Sequence, residues 1–422
     1  MKRAGMRITT AVLLCVLATP HQASGYSVLA HEGVIDVMWN DQLAPILKQK
    51  FPDTTADALR KARAYAYGGS LIQDLGYYPF GSRLFSNLVH YVRSGTFVEA
   101  LVRDAQNVNE LAFALGALAH YTSDTVGHPI AVNRAVPIIY PTLGAKYGAE
   151  ILYADSPTRH VMVEFAFDVL EVARGAFRSD AYQELIGFEV ATPLLERAFR
   201  ETYGLELRDV FGNTDLAIGT YRHAVSKTIP DMTRVAWREK RSQILASTPA
   251  ATERDFVYSM TRRQYEDAFG TTYRKPALLA RFVVMIFRIV PKFGPFKPLA
   301  FKPLTPETER MFLESFTTTC DRYRASLRAV RNSHLDLSDL DLDTGHPPAR
   351  GANPLADETY GDLLGELAER KFASVPATLR RDINEHYASG SVRQDSSRQT
   401  RKQERKVARQ LAALNAAGAP GR

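Results

Sequence analysis

Apolar side chains recur every three or four residues through the first part of the chain, and this periodicity limits it to a mainly helical fold. The spacing persists from Val28 to about Phe177, and no segment alternates as a half-buried strand does. Leu111, Leu115 and Leu118 show the helical spacing clearly. Breaks that contain Gly or Pro divide the region into roughly six helices. The sequence therefore predicts an all-α protein built as a multi-helix bundle.

The N-terminus has the three parts of a secretory signal. Lys2, Arg3 and Arg7 are basic, residues 8–18 form an apolar run, and residues 23–25 are small. We expect cleavage after Gly25, which makes Tyr26 the first residue of an exported mature chain. The alternative is a retained membrane helix, although the apolar run is short for a membrane span.

Composition excludes an internal disulfide in the mature chain, and the charge distribution gives no support for a nucleic-acid groove. Once the signal is removed, Cys320 is the only cysteine, so no internal disulfide can form. The formal net charge is +7, but the signal carries +3 and residues 391–422 carry +6, which leaves residues 26–390 at −2. A nearly neutral body does not indicate a nucleic-acid groove, and we predict no specific nucleic-acid partner.

The strongest local motif runs from His120 to His128. Residues four apart lie one above another on a helix, so His120 and Asp124 project from one face and His128 follows one turn later. Imidazole and carboxylate groups are preferred zinc ligands. His160 and Glu164 repeat the spacing in another apolar helix, where metal coordination would offset the cost of burying a carboxylate. The alternative is that Glu164 faces water and His160 caps its helix.

Histidines are concentrated in the same region. Five of the nine that follow the signal lie within or beside its apolar helical runs: His31, His90, His120, His128 and His160. A single histidine in such a place is usually a hydrogen-bonded core residue. Five of them, together with Asp74, Asp124 and Glu164, favour a shared metal centre.

These residues together resemble the zinc-dependent phospholipase C family. Its relatives include bacterial phospholipases C, single-strand-specific zinc nucleases and glycosylphosphatidylinositol-specific phospholipase D. The resemblance covers about residues 26 to 170. It implies a helical bundle of the phospholipase C or zinc nuclease type that holds up to three zinc ions, with additional C-terminal helices in this chain. In that family the free amino group and carbonyl of the first mature residue bind one ion, and Tyr26 would take that place here.

The resemblance also implies a set of ligands and roles. One ion is held by Asp74, His90, His120 and Asp124, Asp124 bridges to a second on Tyr26 and His31, and the third is bound by His128, His160 and Glu164. Zinc in such a cluster activates water and holds phosphate oxygens. Asp74 is the candidate for orienting or deprotonating the attacking water, unless it is a ligand alone. Arg93 is a candidate phosphate-binding residue, the alternative being an ordinary surface arginine.

The chain departs from the family pattern at three points. Asp124 and His128 are four residues apart, as in the phospholipase D relative, rather than six. Gln73 replaces the more usual proline before Asp74, and 32 residues separate His128 from His160. The third metal group therefore matches the family less closely than the first.

The domain organisation follows from these assignments. The predicted segments are a signal peptide (1–25), a zinc-binding catalytic core (26–190), further helices (191–335), a linker or surface loop (336–357), a helical hairpin (358–390) and a basic tail (391–422) that is either disordered or a solvated helix. Within the third segment, residues 278–301 are apolar and basic. They are interpreted either as a buried helix followed by a proline-rich connection or as a membrane-interface segment.

The predicted function is zinc-dependent hydrolysis of a phosphodiester, with a phospholipid as the favoured substrate. One alternative is an exported zinc nuclease or phosphomonoesterase. The other is a catalytically silent, zinc-stabilised protein that binds membranes through residues 278–301 and the basic tail.

Overall fold

The described part of the chain is almost entirely helical. The computed structural model describes residues 28–174, 188–223, 237, 241–242, 244–245, 301–389 and 398–417. Within them the helices are α1 (Val28–Met38), α2 (Ala44–Lys50), α3 (Ala56–Ser70), α4 (Arg83–Tyr91), α5 (Ser94–Arg103), α6 (Val108–Gly127), α7 (Asn133–Ile139), α8 (Pro141–Tyr147), α9 (Pro157–Arg174), α10 (Thr192–Tyr203), α11 (Leu207–Val210), α12 (Thr214–His223), α13 (Pro306–Arg331), α14 (Pro354–Glu369), α15 (Ala377–Ala388) and α16 (Arg398–Ala417). β pairing in these residues is limited to an isolated bridge between Asp341 and His346. The predicted all-α class is confirmed.

Three sequence predictions fall outside the described residues. They concern the signal peptide, the terminal ligand Tyr26 and nearly all of the apolar and basic segment 278–301. Among the helices that are described, none is long and apolar enough to cross a bilayer.

Helix α6 lies at the centre of the bundle. Its first turn is capped by Asn107, whose side-chain oxygen accepts hydrogen bonds from the backbone N–H groups of Asn109 and Glu110. Every residue from Glu110 to Gly127 is buried. A helix can be buried on all sides only when other helices surround it. Helices α3, α5 and α13 pack against α6. Polar side chains on α6 are therefore held in the protein interior.

Two glycines allow α3 and α6 to pack with their backbones in contact. A Cβ atom on Gly69 would lie 1.9 Å from the carbonyl oxygen of Phe113, and one on Gly116 would lie 2.0 Å from that of Ala66. No larger residue fits at either position without moving a helix. This close approach brings the last carbonyl groups of α3 beside the middle of α6.

The first helix is fixed at its N-terminus by α9. The carboxylate of Asp168 accepts hydrogen bonds of 3.2 Å from the backbone N–H groups of Leu29 and Ala30. These N–H groups have no partner within an α-helix, so a buried carboxylate stabilises the first turn. His31 lies in this first turn, so its position in the protein interior is fixed by the same hydrogen bonds.

In the C-terminal tail, residues 398–417 form α16, which is the helical one of the two predicted alternatives. Leu414 is buried, and Val407 and Leu411 pack against the core beside it. The side-chain amides of Asn384 and Asn415 exchange hydrogen bonds of 2.9 and 3.0 Å. The basic residues concealed this apolar stripe, whose spacing of three and four residues is that of one helix face.

The connection between α13 and α14, residues 332–353, differs from the predicted linker or surface loop. It is irregular, but Asp341, Leu342 and Asp343 at its centre are buried. The Asp341 carboxylate accepts from the backbone N–H groups of Asp343 and Thr344 at 2.9 and 3.1 Å and from the side chain of Asn353 at 2.8 Å. Buried carboxylates are tolerated when they are hydrogen-bonded in this way.

Candidate metal centre

Five predicted ligands converge in the interior of the bundle. Their ligand atoms form two sets, each within 4.8 Å: His31, His120 and Asp124, and Asp74, His90 and His120. Asp124 Oδ1 lies 3.4 Å from His31 Nε2, while its Oδ2 lies 3.1 Å from His120 Nε2 and 3.5 Å from His90 Nε2. Asp74 Oδ1 lies 3.5 Å from His90 Nε2. The two oxygens of Asp124 thus face different sets, as the predicted bridge between two ions requires.

The spacing of these atoms fits zinc. Ligand atoms about 2.0–2.1 Å from zinc at the corners of a tetrahedron are about 3.3–3.4 Å apart. Five of the separations between ligand atoms of these residues are 3.1 to 3.5 Å, and all ligand atoms of each set lie within 4.8 Å of one another. These distances are close to those that ligands of one zinc ion have.

Backbone carbonyl groups set the tautomers of two of the histidines. His90 Nδ1 lies 2.7 Å from the carbonyl oxygen of Ser86, and His120 Nδ1 lies 2.9 Å from that of Ser70. A carbonyl oxygen only accepts, so both Nδ1 atoms carry hydrogen and both neutral rings present a lone pair at Nε2. The two Nε2 atoms are 3.4 Å apart. When both rings are neutral, their lone pairs repel each other at that distance. Either a proton on one Nε2 or a bound cation relieves this repulsion, so the donor set suits a metal ion.

The pKa shifts of three residues in the cluster reflect two opposing effects, burial and the charges of the neighbouring side chains. Burial lowers the pKa of His31 well below its usual value. Burial acts in the same direction on His90, but the carboxylates of Asp124 and Asp74 outweigh it and raise the pKa of His90 to about 10. Burial alone would raise the pKa of Asp124, yet the neighbouring imidazoles hold it well below its usual value. A bound cation would supply the charge that these carboxylates otherwise obtain from protonated histidine.

The third predicted group is assembled differently. His160 Nδ1 lies 2.6 Å from Glu164 Oε1, which is a hydrogen-bond distance and shorter than the edge of a zinc tetrahedron. His128 Nε2 is buried without a hydrogen-bond partner. The ring centroids of His128 and His160 are 5.2 Å apart. Burial raises the pKa of Glu164 well above its usual value, so its protonated form can donate to His160 Nδ1. His160 and Glu164 are in contact, but the ligand atoms of the three residues do not form a set within 4.8 Å as those of the other two groups do, so the structure does not assemble the third predicted group.

Asp343 is a site residue that the sequence-based prediction missed. Its Oδ1 lies 3.0 Å from His128 Nδ1, and its Oδ2 accepts from the backbone N–H of Tyr153 at 3.0 Å. The aspartates of this connection were assigned to solvent. Leu337, Leu340 and Leu342 interleave with them and pack in the core, and this alternation is the signal that indicated a buried segment.

Gln73 stands before Asp74, at the position where the family usually has proline, and its hydrogen bonds fix the turn that carries Asp74. Its side-chain amide donates a 3.0 Å hydrogen bond to the backbone carbonyl oxygen of Ala117 on α6. Its backbone carbonyl oxygen accepts a hydrogen bond from the hydroxyl of Ser86. That hydroxyl also accepts from the backbone N–H of Gly76 at 2.8 Å. The short 3-10 turn that carries Asp74 is therefore held to α4 and α6 by side chains.

Arg93 does not take the phosphate-binding position that was predicted for it. Its side chain is buried and donates to the hydroxyl of Thr378 at 2.9 Å and to the carbonyl oxygen of Thr202 at 3.5 Å. These contacts join the start of α5 to α10 and α15. Spacing along the chain placed Arg93 near His90, but its side chain is directed to the C-terminal helices.

Replacing Arg93 with Met is expected to lower the free energy of unfolding by about 2 kcal/mol, because hydrogen bonds from a buried charged group are lost. Zinc affinity should stay at the wild-type value. Urea unfolding and metal titration measure the two effects. A variant of normal stability with weakened phosphate binding would restore the original prediction.

Comparison with known proteins identifies the helical core. The model of the zinc-dependent phospholipase C family matches residues 38–213, a range that contains Asp74, His90, His120 and Asp124. No curated protein and no solved structure gives a significant match to the chain. The resemblance inferred from the sequence is confirmed, and similarity to a zinc-dependent family agrees with the two donor sets in the bundle interior. Residues 38–213 are similar to the zinc-dependent phospholipase C family.

Proposed function

We propose that this protein is an exported, zinc-dependent phosphodiester hydrolase of the phospholipase C type. The observation that supports this most strongly is the pair of donor sets that share His120 and face the two oxygens of Asp124. Paired metal sites of this kind are typical of enzymes that hydrolyse phosphate esters. The near-neutral body favours a phospholipid substrate over a nucleic acid, because a nuclease needs a basic groove with aromatic stacking surfaces.

The chain's own residues have distinct roles in this proposal. Asp124 bridges the two donor sets, while His31 completes one set and His90 the other. Zinc held there lowers the pKa of water and stabilises negative charge that develops on the phosphate. Asp74 contacts His90 at the edge of the centre and is the group that orients the attacking water or accepts its proton.

Export would complete the second donor set. Cleavage after Gly25 would free the amino group of Tyr26, two residues before the start of α1. The hydrogen bonds from Leu29 and Ala30 to Asp168 hold the first turn of α1 in place. N-terminal sequencing and metal analysis of the exported protein test this step. A Tyr26 start with bound zinc is expected, and a start well upstream of Tyr26 would contradict it.

The substrate class is tested by comparing hydrolysis of three compounds under identical conditions. Phosphatidylcholine vesicles, single-stranded DNA and a simple aryl phosphate represent the phospholipase, nuclease and phosphomonoesterase activities. We expect phosphatidylcholine to be cleaved with the highest kcat/KM. Preferential cleavage of DNA or of the aryl phosphate would overturn the proposed substrate while leaving the zinc chemistry in place.

Replacing Asp74 with Asn separates its two possible roles. Loss of a group that moves a proton typically lowers the rate by about 100-fold to 10,000-fold. If Asp74 acts on the attacking water, kcat should fall by this amount while zinc content stays near the wild-type value. Metal analysis and steady-state kinetics on the same preparation decide the matter. Equal losses of zinc and activity would assign Asp74 to metal binding alone.

We also propose peripheral membrane contact through residues 278–301 and the exposed basic side chains of α16, which include Lys402, Arg405 and Lys406. Such side chains are attracted to anionic headgroups. Sedimentation with vesicles of increasing phosphatidylserine content measures this contact. Binding that persists in a His120→Ala, Asp124→Ala double variant, with no hydrolysis by the wild type, would favour the silent membrane-binding alternative.

A further inference from the structure

The 332–353 connection is buried against the helices of the metal centre, although it lies far beyond the region that matches the family. The backbone N–H of Leu342 donates a 3.0 Å hydrogen bond to the carbonyl oxygen of His90. Gly345 has a φ of +70° and lies against α6, where a Cβ would be 2.8 Å from a backbone carbonyl oxygen. The connection is therefore seated on the helix that carries the central ligands. It brings the buried carboxylate of Asp343 to the residues predicted to bind a third ion.

Asp343 lies between the rings of His128 and His160. Its Oδ1 is 3.0 Å from His128 Nδ1 and 3.9 Å from His160 Nε2. Its Oδ2 accepts a 3.0 Å hydrogen bond from the backbone N–H of Tyr153. A carboxylate attracts the N–H groups of imidazole rings, whereas a zinc ion needs their lone pairs. One nitrogen of each ring is therefore arranged around an anion and not around a cation.

Both ring nitrogens of His160 are used in hydrogen bonds. The Asn133 side-chain amide donates a 2.7 Å hydrogen bond to the carbonyl oxygen of Asp343, and that acceptor fixes which end of the amide is nitrogen. The amide oxygen lies 2.8 Å from His160 Nε2, which must therefore donate. His160 Nδ1 lies 2.6 Å from Glu164 Oε1, and one hydrogen lies between these two atoms whether it belongs to the ring or to the carboxyl group. Neither nitrogen of His160 has a lone pair that is free to bind a metal ion.

The three predicted ligands also lack the spacing of a metal site. Among the described residues, the groups whose ligand atoms all lie within 4.8 Å of one another are the two sets that share His120. Nε2 of His128 has no hydrogen-bond partner, but zinc sites in proteins use at least three protein ligands. A hydrogen-bond network instead runs without a break through five buried residues: Glu164, His160, Asn133, Asp343 and His128.

We infer that this hydrogen-bond network takes the place of the third zinc ion and that the protein binds two zinc ions. The inference rests on the proposed zinc binding at the two donor sets of the bundle interior. Asp343 makes the difference, because its carboxylate holds His128 and its carbonyl oxygen orients Asn133, which in turn holds His160. A buried polar network whose members are hydrogen-bonded rigidifies the interior, so the connection is held on α6 without a metal.

Replacing Glu164 with Gln tests the number of ions. The amide nitrogen of Gln can donate to His160 Nδ1, so the network persists, but a neutral amide lacks the charge of a carboxylate ligand. We expect the wild type and Glu164→Gln each to bind two equivalents of zinc with equal affinity in competition with a chromogenic chelator. One equivalent fewer in Glu164→Gln than in the wild type would overturn the inference.

The matched control is the same carboxylate-to-amide change at Asp124, which faces both donor sets. Asp124→Asn should weaken zinc binding by more than about 100-fold, because loss of even an orienting partner costs about 10-fold to 100-fold. This control shows that the competition assay detects the loss of a carboxylate ligand.

Replacing Glu164 with Leu tests the network itself. Leucine can neither donate nor accept, so His160 Nδ1 loses its partner and the urea midpoint should fall. The fall should be equal with zinc bound and with zinc removed, because the network contains no metal, and Glu164→Gln should keep the wild-type midpoint. A loss of stability confined to the zinc-loaded protein would overturn the inference.

A measurement on the unaltered protein keeps the test independent of how the variants fold. Histidine labelled with ¹⁵N reports the state of each ring nitrogen through long-range ¹H–¹⁵N correlations, with zinc and with chelator. We expect Nδ1 of His160 to give the same shift in both conditions, while Nε2 of His120 changes. A zinc-dependent change at His160 Nδ1 would overturn the inference. Protein that binds no zinc but loses stability in Glu164→Leu and not in Glu164→Gln would refute the proposed function and still support the network.

Discussion

Replacing Asp124 with Asn is expected to abolish hydrolysis and to weaken two metal sites at once. Its two oxygens face different donor sets, and an amide offers one neutral oxygen in place of a charged bridge. Replacing a residue that only orients a ligand costs about 10-fold to 100-fold in metal affinity, so loss of a bridging ligand should exceed 100-fold. Competition with a chromogenic chelator measures zinc affinity, and substrate turnover measures hydrolysis.

The control for Asp124→Asn is a second largely buried carboxylate that lies away from the centre. Asp382 on α15 accepts a 3.1 Å hydrogen bond from the hydroxyl of Tyr360, and burial raises the pKa of Asp382 to about 6. Asp382→Asn should retain zinc and activity. If Asp124→Asn keeps full zinc content and turnover, Asp124 is not the bridge and the proposed mechanism fails.

Replacing Gly116 with Ala is expected to destabilise the fold strongly, although the change adds only one methyl group. The new Cβ would lie 2.0 Å from the carbonyl oxygen of Ala66, and a backbone atom cannot turn aside as a side chain can. Separating α3 from α6 should cost about 3 kcal/mol, at the upper end for overpacking in a core. It should also weaken zinc binding, because the Ser70 carbonyl that holds His120 belongs to the displaced helix.

Gly365 on α14 provides the matched control for this substitution, since no atom lies within 4 Å of the position that its Cβ would occupy. Alanine is favoured over glycine inside a helix, so Gly365→Ala should stabilise the protein by up to about 1 kcal/mol. Urea unfolding of both variants, with zinc bound and with zinc removed, measures the effects. Stabilisation by both substitutions would show that the two helices are not held in backbone contact.

Local spacing predicted the features that depend on helix geometry alone. His120 and Asp124 lie on one face of α6 because residues four apart always do, and the apolar residues around them made the burial of that face predictable. The same reasoning placed His160 beside Glu164. The approach of His31 and His90 to these helices followed from the family resemblance, which supplied contacts that helix periodicity does not contain.

Contacts between residues that are far apart in the sequence could not be predicted from local spacing. Asp343 lies 215 residues from His128 along the chain, and nothing in the sequence around either residue specifies the other. Arg93 was misplaced for the related reason that its position near His90 in sequence does not determine the direction of its side chain. Both outcomes depend on how α13, α14 and α15 return to the bundle, which tertiary packing decides.

The seating of the 332–353 connection on α6 has a consequence for where the protein can be divided. A fragment that stops at residue 213 would keep all of the proposed ligands. It would leave the carbonyl oxygen of His90 and Nδ1 of His128 without their hydrogen-bond partners from Leu342 and Asp343. Such a truncated product should collapse into a loosely packed, aggregation-prone state. During synthesis, more than a hundred residues after residue 213 must be added before the 332–353 connection can pack against the amino-terminal helices. This delay favours slow folding and a need for chaperones.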